Sequence, residues 1–179
     1  TGAPGEAWQH NRRARECFHS IVECRKPIIG AINGPALGAG LAIVASCDLL
    51  VTSENASLGL PEINVGLLGG GRHAMRLFGH SKTRRMMLTG QRISGSELFR
   101  LGILETCVPT DELMEAAMKI AREIASKSLP AILLAKHALN TIACSYTHLK
   151  MPTHPFVQRS EDPSSLITTT EARVVSSST

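Results

Sequence analysis

Two short stretches of this sequence carry residues that could do chemistry. In Gly38-Ala39-Gly40, small residues lie between the apolar run Ile28–Ile32 and a second apolar run, Leu41–Ser46. Backbone N–H groups at such a turn can approach a ligand closely, and a helix opening there adds a positive partial charge, so the turn suits an oxyanion. The same residues also serve as a plain tight turn between strand and helix. A dinucleotide fingerprint is disfavoured because Ile43 stands where a third glycine belongs, and a phosphate loop lacks its Gly-Lys-Ser/Thr.

The second stretch is Leu58-Gly59-Leu60-Pro61-Glu62-Ile63, in which Glu62 is a carboxylate set in apolar sequence. Such a group is exposed, paired or functional, and a partly desolvated one can shuttle a proton. The alternative is a helix-start carboxylate that follows Pro61 and faces water. Gly69-Gly70-Gly71 comes shortly after and could line a ligand cavity or form a loose loop, with His73 close behind. Histidine is suited to proton transfer, but a single one is more often packed or solvated.

These residues need elements to hold them. Residues 6–24 place Trp8, Ala14, Cys17, Phe18, Ile21 and Val22 at helical spacing, which predicts an amphipathic helix. Ile28–Ile32, closed by Asn33-Gly34-Pro35, reads as a strand buried on both faces. Leu41–Ser46 predicts a buried helix and 48–52 a second strand, together a βαβ unit of an α/β fold. A short extended segment, 56–60, leads into Pro61-Glu62, and from Gly69 the pattern turns helical. Ser94 with Glu97 forms a capping box for a helix stopping at Gly102, residues 110–127 have one apolar face, and Pro130 opens a helix to about Asn140. From about Ser145 the chain is rich in Ser, Thr and Pro without apolar period, the composition of a disordered tail.

The whole chain has 179 residues, enough for a real core, and with 3% aromatic residues that core must be aliphatic. Five scattered cysteines without a Cys-x-x-Cys pair support neither a zinc site nor a disulfide framework, and predict reduced thiols in a reducing compartment. No apolar stretch reaches membrane-spanning length, and residues 1–5 lack the regions of an export signal. A net charge of +4 with a basic cluster at Arg76, Lys82, Arg84 and Arg85 admits an anionic partner. Nucleic acid is disfavoured for want of a recognition motif, and the phosphates of a nucleotide-like ligand fit the modest excess better.

Taken together, Lys26 through Gly40 closely resembles the segment of the crotonase (enoyl-CoA hydratase/isomerase) superfamily that ends in its oxyanion turn. Cys47-Asp48-Leu49-Leu50-Val51, Leu58-Gly59-Leu60-Pro61-Glu62, and Leu88-Thr89-Gly90 with Gly102 continue the resemblance in order, over roughly residues 20–140. It implies a ClpP/crotonase-like spiral of ββα units followed by a helical C-terminal region. Residues 1–90 would be the later part of the spiral core, 91–140 the helical trimerisation region, and 141–179 a disordered or non-family tail. By position Glu62 and Ala39 match the proton-transferring carboxylate and an oxyanion-donating backbone N–H, while Gly38, Gly40, Pro61, Gly69 and Gly70 match the substrate wall. The implied substrate is an acyl-CoA thioester of lipid or fatty acid metabolism, with coenzyme A as part of the substrate and no separate cofactor or metal. The implied assembly is a homotrimer or hexamer without membrane, in the cytoplasm or the mitochondrial matrix.

Three departures from the family pattern stand out. Ala42 stands where family hydratases carry a first glutamate, which favours one-base chemistry such as double-bond isomerisation. The segment supplying the other oxyanion donor is expected before residue 1, as in an N-terminally truncated member, and the family's C-terminal helices are expected beyond Asn140, where Ile142–Thr179 does not resemble them. A fold that binds without turnover, or an RNA-binding module built on the basic cluster, are the rival readings.

Overall fold

A computed structural model of the chain describes residues 4–145 and 173–177. Its elements are α1 (Pro4–Val22), β1 (Ile28–Ile32), β2 (Pro35–Leu37), α2 (Ala39–Val44), β3 (Leu49–Ser53), β4 (Ser57–Gly59) and a 3-10 turn at Pro61–Val65. Next come α3 (Gly71–Thr89), β5 (Arg92–Ser94), α4 (Gly95–Arg100), β6 (Thr106–Val108), α5 (Leu113–Ala125), α6 (Leu129–Ser145) and β7 (Arg173–Ser177).

β1, α2 and β3 form the expected βαβ unit, with β1 parallel to β3 in the register Ile29 opposite Leu49 through Ile32 opposite Thr52. The larger sheet runs β6-β3-β1-β7 and is parallel throughout; the smaller runs β2-β4-β5, with only β4 and β5 antiparallel. All five β1 residues are buried, as an uninterrupted apolar run in a covered parallel sheet requires. Its alternation divides the core. Ile29 and Ala31 face Leu113, Ala117 and Ala121 of α5, whereas Ile32 joins Leu41, Val44, Leu58, Leu60, Met86 and Leu98 on the other side. Each buried Ile, Leu, Val or Met side chain among these contributes about 1.5–3 kcal/mol by leaving water. A Cβ at Gly30 would stand 3.0 Å from Leu50 and 3.4 Å from the Cys47 sulfur, so any side chain there would have to displace those neighbours.

A buried ion pair ties the last long helix to this unit. Lys136 Nζ donates to Asp48 Oδ2 at 2.7 Å and to the Lys26 carbonyl at 3.0 Å, and the Ile28 N–H donates to the same carboxylate oxygen at 2.7 Å. With Lys136 only 6% exposed, the contact locks α6 across the starts of β1 and β3.

The structure departs from the sequence expectations in several places. The helical stretch from Gly69 begins at Gly71 and is broken at Gly79, whose φ of 67° and ψ of −174° are non-helical. β5 and β6 lie in the region expected to be helical after residue 90, and pair with β4 and β3, so both sheets extend across that boundary. The tail expected to lack structure has regular elements in two places: α6 continues to Ser145, and β7 runs along the edge of β1 with Ile28 opposite Arg173 and Ile32 opposite Ser177. The edge of a parallel sheet presents unpaired N–H and C=O groups that a distant segment can satisfy, a long-range contact with no local periodic signal. The remainder of the expected tail lies outside the described residues.

Candidate active site

The glycine turn stands at the crossing of the two sheets. β2 pairs with β4 from Pro35 opposite Ser57 to Leu37 opposite Gly59, and Gly38 N–H donates to the Gly59 carbonyl at 3.0 Å. This pairing brings Leu60-Pro61-Glu62 back beside the turn that precedes α2. Gly38 has φ 56° and ψ −114°, a conformation that favours glycine. A Cβ on Gly38 would also lie 2.8 Å from Glu62 Oε1, so glycine is needed twice over. Ala39 and Gly40 follow as the first residues of α2, whose opening N–H groups have no carbonyl one turn earlier within the helix to receive them.

Glu62 sits in the 3-10 turn that Pro61 opens, in a half-buried position. Its main-chain carbonyl accepts from Leu67 N–H at 2.9 Å, which fixes the turn and leaves the carboxylate directed at Gly38. The carboxylate atom Oε2 is buried and has no hydrogen-bond partner among the described residues. A buried acceptor without a partner is costly in a folded protein and marks a place where a ligand or transferred proton would be welcome. Glu62 does stand in the first turn of a short helix after Pro61, as the alternative has it, but half-buried, with Oε2 out of contact with water. Gly69 reaches the same carboxylate, its Cβ position lying 3.9 Å from Oε1. Gly70, at φ 70°, leaves only 2.5 Å between a Cβ and Leu60, so the loop after Glu62 closes tightly under the site.

The structure therefore brings together Gly38, Ala39, Glu62, Pro61 and Gly69, with Gly70 as the close-packed support. Gly40 is different, since a Cβ there would make ordinary contact with Ala36 at 3.7 Å, and its role is that of a backbone at the helix start. Ala42, 2% exposed, is buried on α2, where a carboxylate would need a partner of its own. His73 stands against α1, its ring edge-on to Phe18 at 4.8 Å. Burial pushes its imidazole below the usual range, and nearby Arg76, Arg72 and His19 push it the same way. Sequence reasoning missed Gly59 and Leu60 as positioning residues, because their role comes from β2–β4 pairing rather than from any local motif.

Among the described residues no group of three or more His, Cys, Asp or Glu is placed to hold a metal ion, and no helix is long and apolar enough to cross a membrane. Cys17, Cys24, Cys47 and Cys107 are free thiols.

Comparison with known proteins shows what the chain is similar to. Among curated relatives, the chain is 39% identical over 132 residues to the (7aS)-7a-methyl-1,5-dioxo-2,3,5,6,7,7a-hexahydro-1H-indene-carboxyl-CoA hydrolase of Mycobacterium tuberculosis, covering 74% of this chain and 53% of that one. It is 37% identical over 126 residues to the short-chain-enoyl-CoA hydratase of Clostridium acetobutylicum, covering 69% and 48%. The crystal structure of an enoyl-CoA hydratase from Bacillus anthracis superposes with a TM-score of 0.72 at 34% identity, over 77% of this chain and 55% of that one. The chain thus spans about half the length of the curated relatives it matches. The sequence model of the enoyl-CoA hydratase/isomerase family matches residues 4–153, past the start of the segment expected to be a foreign tail. On its sequence and its crotonase fold, the chain belongs to the enoyl-CoA hydratase/isomerase family.

Proposed function

We propose that the protein acts on an acyl-CoA thioester, stabilising its enolate at the Gly38-Ala39-Gly40 turn and moving a proton with Glu62. The observation that carries this reading is the packing of the Glu62 carboxylate against Gly38, the residue before α2, with its other oxygen buried and unpartnered. A thioester oxygen at the Ala39 N–H would gain negative charge as a proton leaves the carbon next to the carbonyl. The aligned peptide dipoles at the start of α2 favour that charge. Glu62 accepts the proton and is placed to return it.

With Ala42 in place of a second carboxylate, one-base chemistry is the better fit. In double-bond isomerisation, Glu62 takes a proton from C2 of a 3-enoyl thioester, the electron pair spreads into a dienolate, and the same proton returns at C4. Hydration would need another group to hold the attacking water. Coenzyme A enters as part of the substrate, and the scheme uses no separate cofactor. The free thiols support a reducing compartment, cytoplasm or mitochondrial matrix, and the relatives' names support a place in acyl-CoA metabolism. Exposed Leu134, Leu139 and Ile142 on α6 support a homotrimeric or hexameric assembly.

The test is Glu62→Gln in the whole protein, which keeps the side chain's size but cannot exchange a proton. Turnover of 3-enoyl- or 2-enoyl-CoA should fall by about 100-fold or more, while acyl-CoA affinity changes little. Unchanged turnover in this variant refutes the assignment of Glu62. Affinity without turnover in the wild type would instead establish a binding protein on the same fold.

A further inference from the structure

Far along α3 from the glycine loop, a crevice of about 460 Å³ opens between the second half of that helix and the loop after α4. It is lined by Leu77, Phe78, Leu101 and Ile103, with Ser81, Lys82 and Arg85 completing the wall. Leu77, Phe78 and Ile103 are half-buried and pack on the main core, so the floor is fixed, and Leu101 stands 37% exposed at its edge. The break at Gly79 restarts the helix just before Ser81, and Lys82 and Arg85, three residues apart, then share one side of the restarted helix. No acidic side chain lines the crevice. Glu97, the carboxylate whose field reaches Lys82, is already held by Arg100 through two hydrogen bonds of 2.6 and 2.8 Å. Among the described residues the side chains of Lys82 and Arg85 have no ion-pair or hydrogen-bond partner.

We infer that this crevice binds a single-chain amphiphile ending in a carboxylate, a fatty-acid-like anion, at a place separate from the Glu62 site. The volume lies within the range of small-ligand sites, about 300–1,000 Å³. Charge complementarity selects the occupant. Two unpaired cations one turn apart receive the carboxylate, Arg85 being able to meet it with two parallel N–H donors, and the apolar floor receives the alkyl chain. Lys82 is half-buried in the crevice wall, and a lysine there can cover apolar surface with its methylenes while keeping its ammonium in water. An alcohol of the same length lacks the charge, and acetate lacks the chain, so neither should be held as well.

Titration calorimetry on the full chain with dodecanoate, dodecanol and acetate tests the proposal. Dodecanoate should bind at one site at least about 10-fold more tightly than either control, since a charge-assisted pair and several desolvated methylenes both contribute. The double variant Lys82→Gln/Arg85→Gln should weaken dodecanoate by about 10-fold or more, and Leu101→Ser should weaken it as well, whereas the remote Lys119→Gln should not. All four positions are exposed or half-exposed, and thermal melts of the variants check that the fold is kept. Equal binding of dodecanol, equal binding by the double variant, or no binding of dodecanoate overturns the assignment. Sedimentation of the same samples covers a different occupant: a dimer that Leu101→Ser dissolves gives the crevice to a second copy of the chain and also overturns it.

Discussion

Replacing Gly38 by alanine tests whether the glycine turn and the Glu62 carboxylate are one physical unit. Two separate costs are built into the position. Its backbone, at φ 56° and ψ −114°, is one that side-chain-bearing residues rarely adopt, and holding alanine there costs about 1–3 kcal/mol. The new Cβ would also stand 2.8 Å from Glu62 Oε1, so the carboxylate must swing off its preferred rotamer at about 0.5–1.5 kcal/mol. Gly38→Ala should therefore destabilise the protein by roughly 2–4 kcal/mol in urea unfolding followed by circular dichroism, with an unchanged denaturant slope. Glu62→Ala behaves differently. It removes a buried oxygen without a partner, and since an unsatisfied buried acceptor costs about 1–3 kcal/mol, its loss should leave stability equal or slightly higher. In the Glu62→Ala background only the backbone cost of Gly38→Ala remains, so the two substitutions should couple by roughly 0.5–1.5 kcal/mol, above the 0.3–0.5 kcal/mol within which independent sites add. Strict additivity would show that Glu62 does not rest against the turn, and the site described here would lose its central contact.

Other elements make their own predictions. Lys136→Ala leaves the Asp48 carboxylate half-enclosed without its cation, and should destabilise by about 3–5 kcal/mol in the same unfolding assay; a loss under 1 kcal/mol would mean that α6 is not locked through this pair. Ser94 accepts from the Glu97 N–H at the start of α4, so Ser94→Ala should cost about 1 kcal/mol and Ser94→Asp close to nothing. Burial, then the neighbouring Asp48, push the Cys47 thiol up to about 11, so at pH 8 iodoacetamide should modify exposed Cys17 readily and Cys47 only after urea unfolding, as read by peptide mass spectrometry. The sign of the linked stability follows: a raised folded-state value favours the neutral thiol, so the contribution is complete below the unfolded thiol's pKa of about 8.5 and disappears as pH rises through about 11. Over that window wild type should lose stability relative to Cys47→Ala.

Much of the site was legible from residues alone because its parts are local. The apolar run Ile28–Ile32 read as a strand covered on both faces, Gly38-Ala39-Gly40 as a glycine turn opening a buried helix, and Ser94 with Glu97 marked a helix start that the structure shows. Each signal depends on the conformations and burial open to a few neighbouring residues. The relation between distant segments is another matter. That Glu62 leans on Gly38 depends on β2 lying parallel to β4, a pairing across about twenty residues that no periodicity encodes. The three-residue strands β5 and β6 escaped notice because their backbone pairing rests on partners in β4 and β3, and so did β7, whose partner β1 lies at the other end of the chain. Composition likewise showed a carboxylate in apolar sequence at Glu62, but only tertiary packing decided that one of its oxygens is buried without a partner, since desolvation is set by which surfaces meet.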